Sequence, residues 1–435
     1  MKKVVQAAKT QLRDNRMLQN TAWIIGERIV QMLISLVITA ITARYLTPND
    51  YGIITYTTNF VAMFTSICAL GLDGIVVKDI VDDRTREGEI IGTAVVMRFA
   101  ASLVSMAAII GLLYLLNPQD SLLLFAGALQ SVQLIFRSAE IIEFWYQSRL
   151  ESKYASIIKI IGYLVMSAYK VWLLATQKTV IWFAMSSTID IAVIAVLYLI
   201  LFQKHSTHRM SFSMQTVKSL WERGKHFLIS SLIVVLYTKM DTIMIQKMLP
   251  DGLTQVAYYS VAITVCNMWI FIPQAVTSSA RPLIMQLKNK DEALYLKRLK
   301  QLYAALFYMG IVFGILFSCC SKLIIRILYS EKYMPAQMSL IIAIWYTGLA
   351  VLGTARGIWL ICEGKNKYAK NLLIWGVVVN LLLNAVLIPR IGIEGAAIAT
   401  FVTQFVTCFI APLLYKDTRI HTKILLEAIA LRGIR

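Results

Sequence analysis

Runs of roughly twenty residues with few or no charges recur along the whole 435-residue chain, and no other feature restricts its fold so severely. In hydrocarbon a backbone has no water to bond, so runs of this length read as membrane-spanning helices. Composition agrees. The chain is 58% hydrophobic and 15% charged, with a mean hydropathy of +0.66. Ordinary globular proteins carry about 25% charged residues, and a soluble surface of this size needs more polar cover. The expected spans are 20–45, 51–72, 91–116, 121–146, 155–175, 180–202, 225–249, 256–284, 300–320, 338–362, 369–388 and 393–416, about twelve by the length criterion.

The longest polar connection, 203–224, divides these spans into two groups of six. The expected organisation is an N-terminal six-helix lobe at 1–202, a basic cytoplasmic linker at 203–224, a C-terminal six-helix lobe at 225–416 and an amphipathic cytoplasmic tail at 417–435. The two halves echo each other weakly. Arg44-Tyr45-Leu46-Thr47-Pro48-Asn49-Asp50-Tyr51-Gly52 follows the first span. Lys247-Met248-Leu249-Pro250-Asp251 and Tyr258-Tyr259 follow the seventh. A parallel repeat of this kind would place a central cavity between its halves. The fold class expected is therefore an all-α membrane protein of two six-helix lobes around a central cavity.

The formal net charge is +19, which in a soluble protein would suggest nucleic acid. Here the cations sit between the apolar runs. With the N-terminus inside, the 43 Lys and Arg divide into 29 on the inner side, 7 on the outer side and 7 within the spans. The positive-inside bias then places both termini in the cytoplasm.

The seven stranded cations are Arg28, Arg98, Arg137, Lys170, Lys239, Arg281 and Arg356. A charge at the bilayer centre costs at least about 2.5–3.5 kcal/mol, so such residues usually face the protein interior and have a partner or a task. The five arginines lie within about 15 Å of the expected inner ends of their helices. Two readings stand: snorkelling to the interface, or a cationic cavity that grips an anion. Lys239 lies near the middle of its span, whereas Lys170 lies near an outer end and can snorkel. Arg28, Arg98, Arg137, Lys239, Arg281 and Arg356 are the candidate substrate-binding cations. Guanidinium groups suit phosphate, which they meet bidentately.

Acids are fewer. Glu27, Asp190 and Asp241 are candidate ion-coupling carboxylates. Arg137 and Glu140 are three residues apart and can pair on one helix face. Asn380 and Asn384 share a face at i,i+4, as interhelical glue or as sugar-recognition groups.

Other chemistry finds no footing. No phosphate-binding G-x-x-x-x-G-K-[ST] loop, G-x-S-x-G elbow or H-E-x-x-H helix occurs. The six cysteines and four histidines lack metal-ligand spacing. We expect no cofactor, no metal, no enzymatic activity and no nucleic-acid partner, with energy drawn from a proton, sodium or substrate gradient.

Several soft motifs keep a fixed order along almost the whole chain: Asn20-Thr21-Ala22-Trp23; Ala43-Arg44-Tyr45-Leu46-Thr47-Pro48-Asn49-Asp50-Tyr51-Gly52; Gly71-Leu72-Asp73-Gly74; Asp241-Thr242-Ile243; Asn380 through Asn384; and Ile388-Pro389-Arg390-Ile391-Gly392 through Ala397. In these the sequence resembles the Wzx-type oligosaccharide flippases, the polysaccharide-transport branch of the multidrug/oligosaccharidyl-lipid/polysaccharide exporter superfamily. The resemblance implies twelve helices in two lobes, alternating access and a bacterial inner membrane. It also implies an undecaprenyl-diphosphate-linked oligosaccharide as substrate, for O-antigen or capsule. Membrane lipids, a polysaccharide polymerase and a chain-length regulator are the implied partners. Two other functions compete: an ion-coupled multidrug or organic-cation antiporter, whose cavity should be acidic, and a membrane polysaccharide polymerase, which needs a catalytic outer loop.

Overall fold

A computed structural model describes the backbone of residues 2–206 and 208–433, with side chains from Gln19 onward other than Thr21, Ser230 and Tyr237. The basic side chains counted near the N-terminus, Lys2 to Arg16, lie outside the described side chains. The described residues are helical almost throughout and contain no strand. The helices are α1 (Lys2–Tyr45), α2 (Pro48–Ala69), α3 (Asp73–Asp82), α4 (Glu87–Leu116), α5 (Ser121–Ser131), α6 (Gln133–Arg137), α7 (Ile141–Ser148), α8 (Ser152–Ala175) and α9 (Val180–His205). They continue with α10 (Met214–Met248), α11 (Gly252–Asn267), α12 (Phe271–Lys288), α13 (Glu292–Tyr329), α14 (Ala336–Cys362), α15 (Lys367–Phe405) and α16 (Arg419–Ile429).

By length and composition, nine of the described helical segments can cross a membrane, and eleven if the two bent pairs are each one span. The longest segment, 367–414, resolves the difference from the expected twelve. Asn384 and Thr400 both touch the carboxylate of Asp241, at 2.6 and 2.9 Å. Sixteen residues of straight helix would hold them about 24 Å apart. The chain therefore folds back between them. The reversal is at Ile391 and Gly392, whose backbone leaves the helical region; Gly392 has φ +69°, which a side chain resists. Pro389, just before it, cannot donate its helical hydrogen bond. The protein is thus a multi-pass membrane protein with twelve candidate spans among its described residues.

The helices form two compact units. Unit 1 comprises 1–46 and 57–232, and unit 2 comprises 47–56 and 233–435. In unit 1 the core gathers Leu72, just before α3, with Val76, Ile91, Ile142, Trp145, Tyr146 and Tyr198 from α3, α4, α7 and α9. The α3 helix is docked into it through Ile75, Val76 and Ile80. The segment 203–224 is part of this unit. Ser211 N donates to the Gly88 carbonyl (3.1 Å), Ser213 N to Thr93 Oγ1 (3.1 Å), and Arg223 forms a two-pronged pair with Asp79 (2.6 Å each). Its second half is already helical from Met214, with Leu220 fully buried. The division between the units accordingly falls inside α10, at 232/233, and not at the polar connection.

Unit 2 has its own core, built from Leu299, Tyr303, Leu306, Leu352, Ala355 and Trp359 of α13 and α14 with Ile424, Leu425 and Ala428 of α16. The expected tail helix is therefore packed on protein along one face, while Ile420 and Leu426 are exposed on the other. The first turns of α2 also belong to unit 2. Tyr51 is buried there against Tyr333, edge to face at 5.9 Å. Gly52 lies so close to the Leu253 backbone that a Cβ would overlap its carbonyl.

Candidate functional site

Among the described residues, two groups of polar side chains inside the spans stand out, one in each unit. The first surrounds Asp241 of α10, which is 5% exposed. Its Oδ2 accepts from Tyr259 Oη (2.8 Å, α11) and from Thr400 Oγ1 (2.9 Å), and its Oδ1 from Asn384 Nδ2 (2.6 Å). The same Asn384 amide reaches Asn380 Oδ1 at 3.0 Å. Four stretches of chain thus converge on one carboxylate, and the α15 reversal supplies two of them. Hydrogen bonds to a charged group contribute about 1.5–3 kcal/mol each, which offsets the cost of burying it. Asn384 Oδ1 and Asn380 Nδ2 are buried without a hydrogen-bond partner. That arrangement has spare oxygen valence: the Asp241 carboxylate, two amide oxygens and the Thr400 hydroxyl are the hard donors a small cation takes.

The second group lies in unit 1. Arg137 Nη1 pairs with Glu140 (2.9 Å) and its Nη2 with Gln133 (3.3 Å). Lys159 of α8 pairs with Glu143 (2.7 Å), which also accepts from Gln147 (3.2 Å). Glu27 of α1, 5% exposed, lies near Tyr163 and Lys159. Asp190 of α9 lies within Coulombic reach of Arg137, Glu140 and Lys170, and its Oδ1 is buried without a hydrogen-bond partner.

The expected cations divide by environment. Arg137 forms the i,i+3 pair read from its spacing. Arg98 is 5% exposed and turned toward the α2–α3 turn, where it bonds Asp73 and the Ala69 carbonyl (3.3 Å), with its guanidinium 5.6 Å from the Phe144 ring. Arg356 donates to the Thr407 carbonyl, within a widened helical turn at Val406–Ile410. Arg28 and Arg281 are exposed, and Lys239 is half-buried with Asp241 nearby. Lys170, read as snorkelling, is half-buried near Asp190. Arg137 lies within Coulombic reach of Asp190, and Arg98 bonds elsewhere, to Asp73 and the Ala69 carbonyl. Sequence reasoning missed Tyr259, Thr400, Lys159 and Tyr163 as members of these groups. The one available signal was the shared face of Asn380 and Asn384. Among the described residues no group of three or more His, Cys, Asp or Glu is placed to hold a metal ion.

Candidate spans in two units with charged groups inside them describe a multi-pass α-helical membrane protein. Over 95% of this chain and 90% of the other, the structure is similar to a lipid II flippase, MurJ, in an inward closed conformation (TM-score 0.70, 13% identity). It is also similar to an inward-facing multidrug resistance MATE family transporter of the MOP superfamily (TM-score 0.62, 13% identity, 94% of this chain and 96% of the other). The chain belongs to the polysaccharide biosynthesis protein family, whose model matches residues 17–288. It is 28% identical over 200 residues to the probable low-salt glycan biosynthesis flippase Agl15 of Haloferax volcanii, across 45% of this chain and 42% of that one. The chain spans less than half the length of the curated relatives it matches.

Proposed function

We propose that the protein flips a lipid-linked oligosaccharide across a bacterial inner membrane, from the cytoplasmic leaflet to the outer one, and is not an enzyme. What carries this reading is a transporter fold on a chain of the polysaccharide biosynthesis family. The substrate we infer is an undecaprenyl-diphosphate-linked repeat unit for O-antigen or capsule, as for Wzx-type flippases, moved by alternating access. Arg137, with its neighbours in unit 1, takes the diphosphate. Arg28 is a further phosphate contact in unit 1, Lys239 and Arg281 are candidate substrate-binding cations of unit 2, and Arg98 and Arg356 hold helix ends. Asp241 binds the coupling proton or sodium ion, because a buried carboxylate beside unsatisfied amide oxygen is where a cation gains most. Glu27 and Asp190 are secondary coupling candidates. A polysaccharide polymerase and a chain-length regulator are the partners expected downstream.

The test is flipping of a fluorescent lipid-linked oligosaccharide in proteoliposomes of the purified chain. The expected result is transport that an imposed sodium or proton gradient accelerates, and that Asp241→Asn slows at least about tenfold with insertion unchanged, the loss of one strong ion contact. Exchange of a cationic dye with no glycan movement would replace this reading with the drug-antiporter one. Glycosidic bond formation by the purified chain would replace it with the polymerase.

A further inference from the structure

The unit 1 group carries as many carboxylates as a cation-only grip would have to avoid. Around it, α1 contributes Glu27 and Arg28, the α6–α7 stretch Arg137, Glu140 and Glu143, α8 Lys159, Tyr163 and Lys170, and α9 Asp190 and Tyr198. Arg28 is exposed. The inner cations Arg137, Lys159 and Lys170 therefore face the carboxylates of Glu27, Glu140, Glu143 and Asp190. Two of these contacts are closed ion pairs, at 2.9 and 2.7 Å. Their side chains remain 19–27% exposed, so a ligand can reach them.

Such pairs are stable without a ligand but cannot take one by simple addition. A diphosphate adding its negative charge beside four carboxylates in a medium of low dielectric would leave anions uncompensated, which is costly. We propose that Glu140 and Glu143 are internal stand-ins for phosphate: a diphosphate takes Arg137 and Lys159 from them, and the displaced carboxylates take up protons from bulk water. Headgroup binding is then tied to proton uptake at the same place, with no covalent bond made or broken. Each proton moves from solvent to a carboxylate oxygen, and the phosphate oxygens remain the acceptors for Arg137 and Lys159. The arrangement also spares the empty protein an array of bare cations in the bilayer.

This inference rests on the reading that the substrate carries a diphosphate. It is tested on the full chain in detergent, with farnesyl diphosphate as probe, by titration calorimetry near pH 7 in buffers of different ionisation enthalpy. The expected result is uptake of about one to two protons per ligand, and a Kd that weakens by about tenfold per pH unit for each proton taken up as pH rises. The double substitution Glu140→Gln with Glu143→Gln should abolish the uptake, flatten the pH dependence and bind about tenfold or more tightly at pH 8, since its cations are no longer neutralised. Lys159→Gln should weaken binding about tenfold. Binding with no proton uptake, or uptake that persists in the double variant, would overturn the exchange and leave the diphosphate reading standing. No binding by the native chain at any pH would overturn both.

Discussion

Arg98 and Arg137 look alike in the sequence, each a lone guanidinium in an apolar helix, and their surroundings separate them. Arg98 is buried against Asp73, the Ala69 carbonyl and Phe144, so it fastens the turn between α2 and α3. Because Asp73 is more than half exposed, its ion pair adds little, and the buried contacts of Arg98 carry the stabilisation. We expect Arg98→Gln to destabilise the purified protein by about 1–3 kcal/mol, the cost of lost buried hydrogen bonds to a charged group. The check is thermal unfolding in detergent alongside farnesyl diphosphate binding: Tm falls and Kd holds. A Kd that moves as much as in Lys159→Gln would return Arg98 to the ligand site. The Arg137–Glu140 pair was legible because its geometry is local, three residues on one helix. The Asp241 centre was not, because its partners lie 18, 143 and 159 residues away and only the folded chain unites them.

Among the elements, α15 and α16 show what a pattern can and cannot tell. Pro389 and Gly392 marked the reversal in α15 correctly, since both residues have a backbone reason to sit there. Amphipathic spacing in α16 revealed an apolar face but not whether lipid or protein covers it. Protein covers Ile424, Leu425 and Ala428, and His421 lies with them at 1% exposure, 3.0 Å from Tyr303 Oη. Burial, with the Arg356 charge adding to it, pushes the imidazole down to about 3. Unfolded His titrates near 6.5, so between these values the undocked helix binds a proton that the docked one excludes. Docking of α16 is therefore at full strength above about pH 6.5 and weakens as pH falls, by up to tenfold in its equilibrium per pH unit. Amide hydrogen exchange over 419–429 at pH 7 and pH 5, corrected for intrinsic rates, checks this. Protection should drop at pH 5 in the native chain and stay level in His421→Gln. Equal protection at both pH values in the native chain would refute the docking account.

At the scale of the molecule, the span pattern was the most readable feature, because bilayer thickness sets a length that sequence displays directly. The division into units was less so. Polarity at 203–224 suggested a free connector, yet its backbone is hydrogen-bonded to α4 and its side chains to α3. From the cation count we propose that both termini are cytoplasmic. We expect alkaline phosphatase fused after residue 178 to be active and a green fluorescent protein fused at residue 435 to fluoresce. The opposite pair of results would invert the orientation and, with it, the direction of transport.

The early turns of α2 have an unusual relationship to time. Tyr51 leaves the ribosome with the first quarter of the chain, but the ring it packs against, Tyr333, is 282 residues further on. At about 5–20 residues per second, that partner arrives some 14–56 s later. Until then the Tyr51 ring waits in the nascent membrane assembly without that partner, although the Leu253 backbone that fits Gly52 is made 80 residues earlier. Premature termination anywhere between those positions therefore strands an early helix without its later half, and quality-control proteases have that interval in which to act.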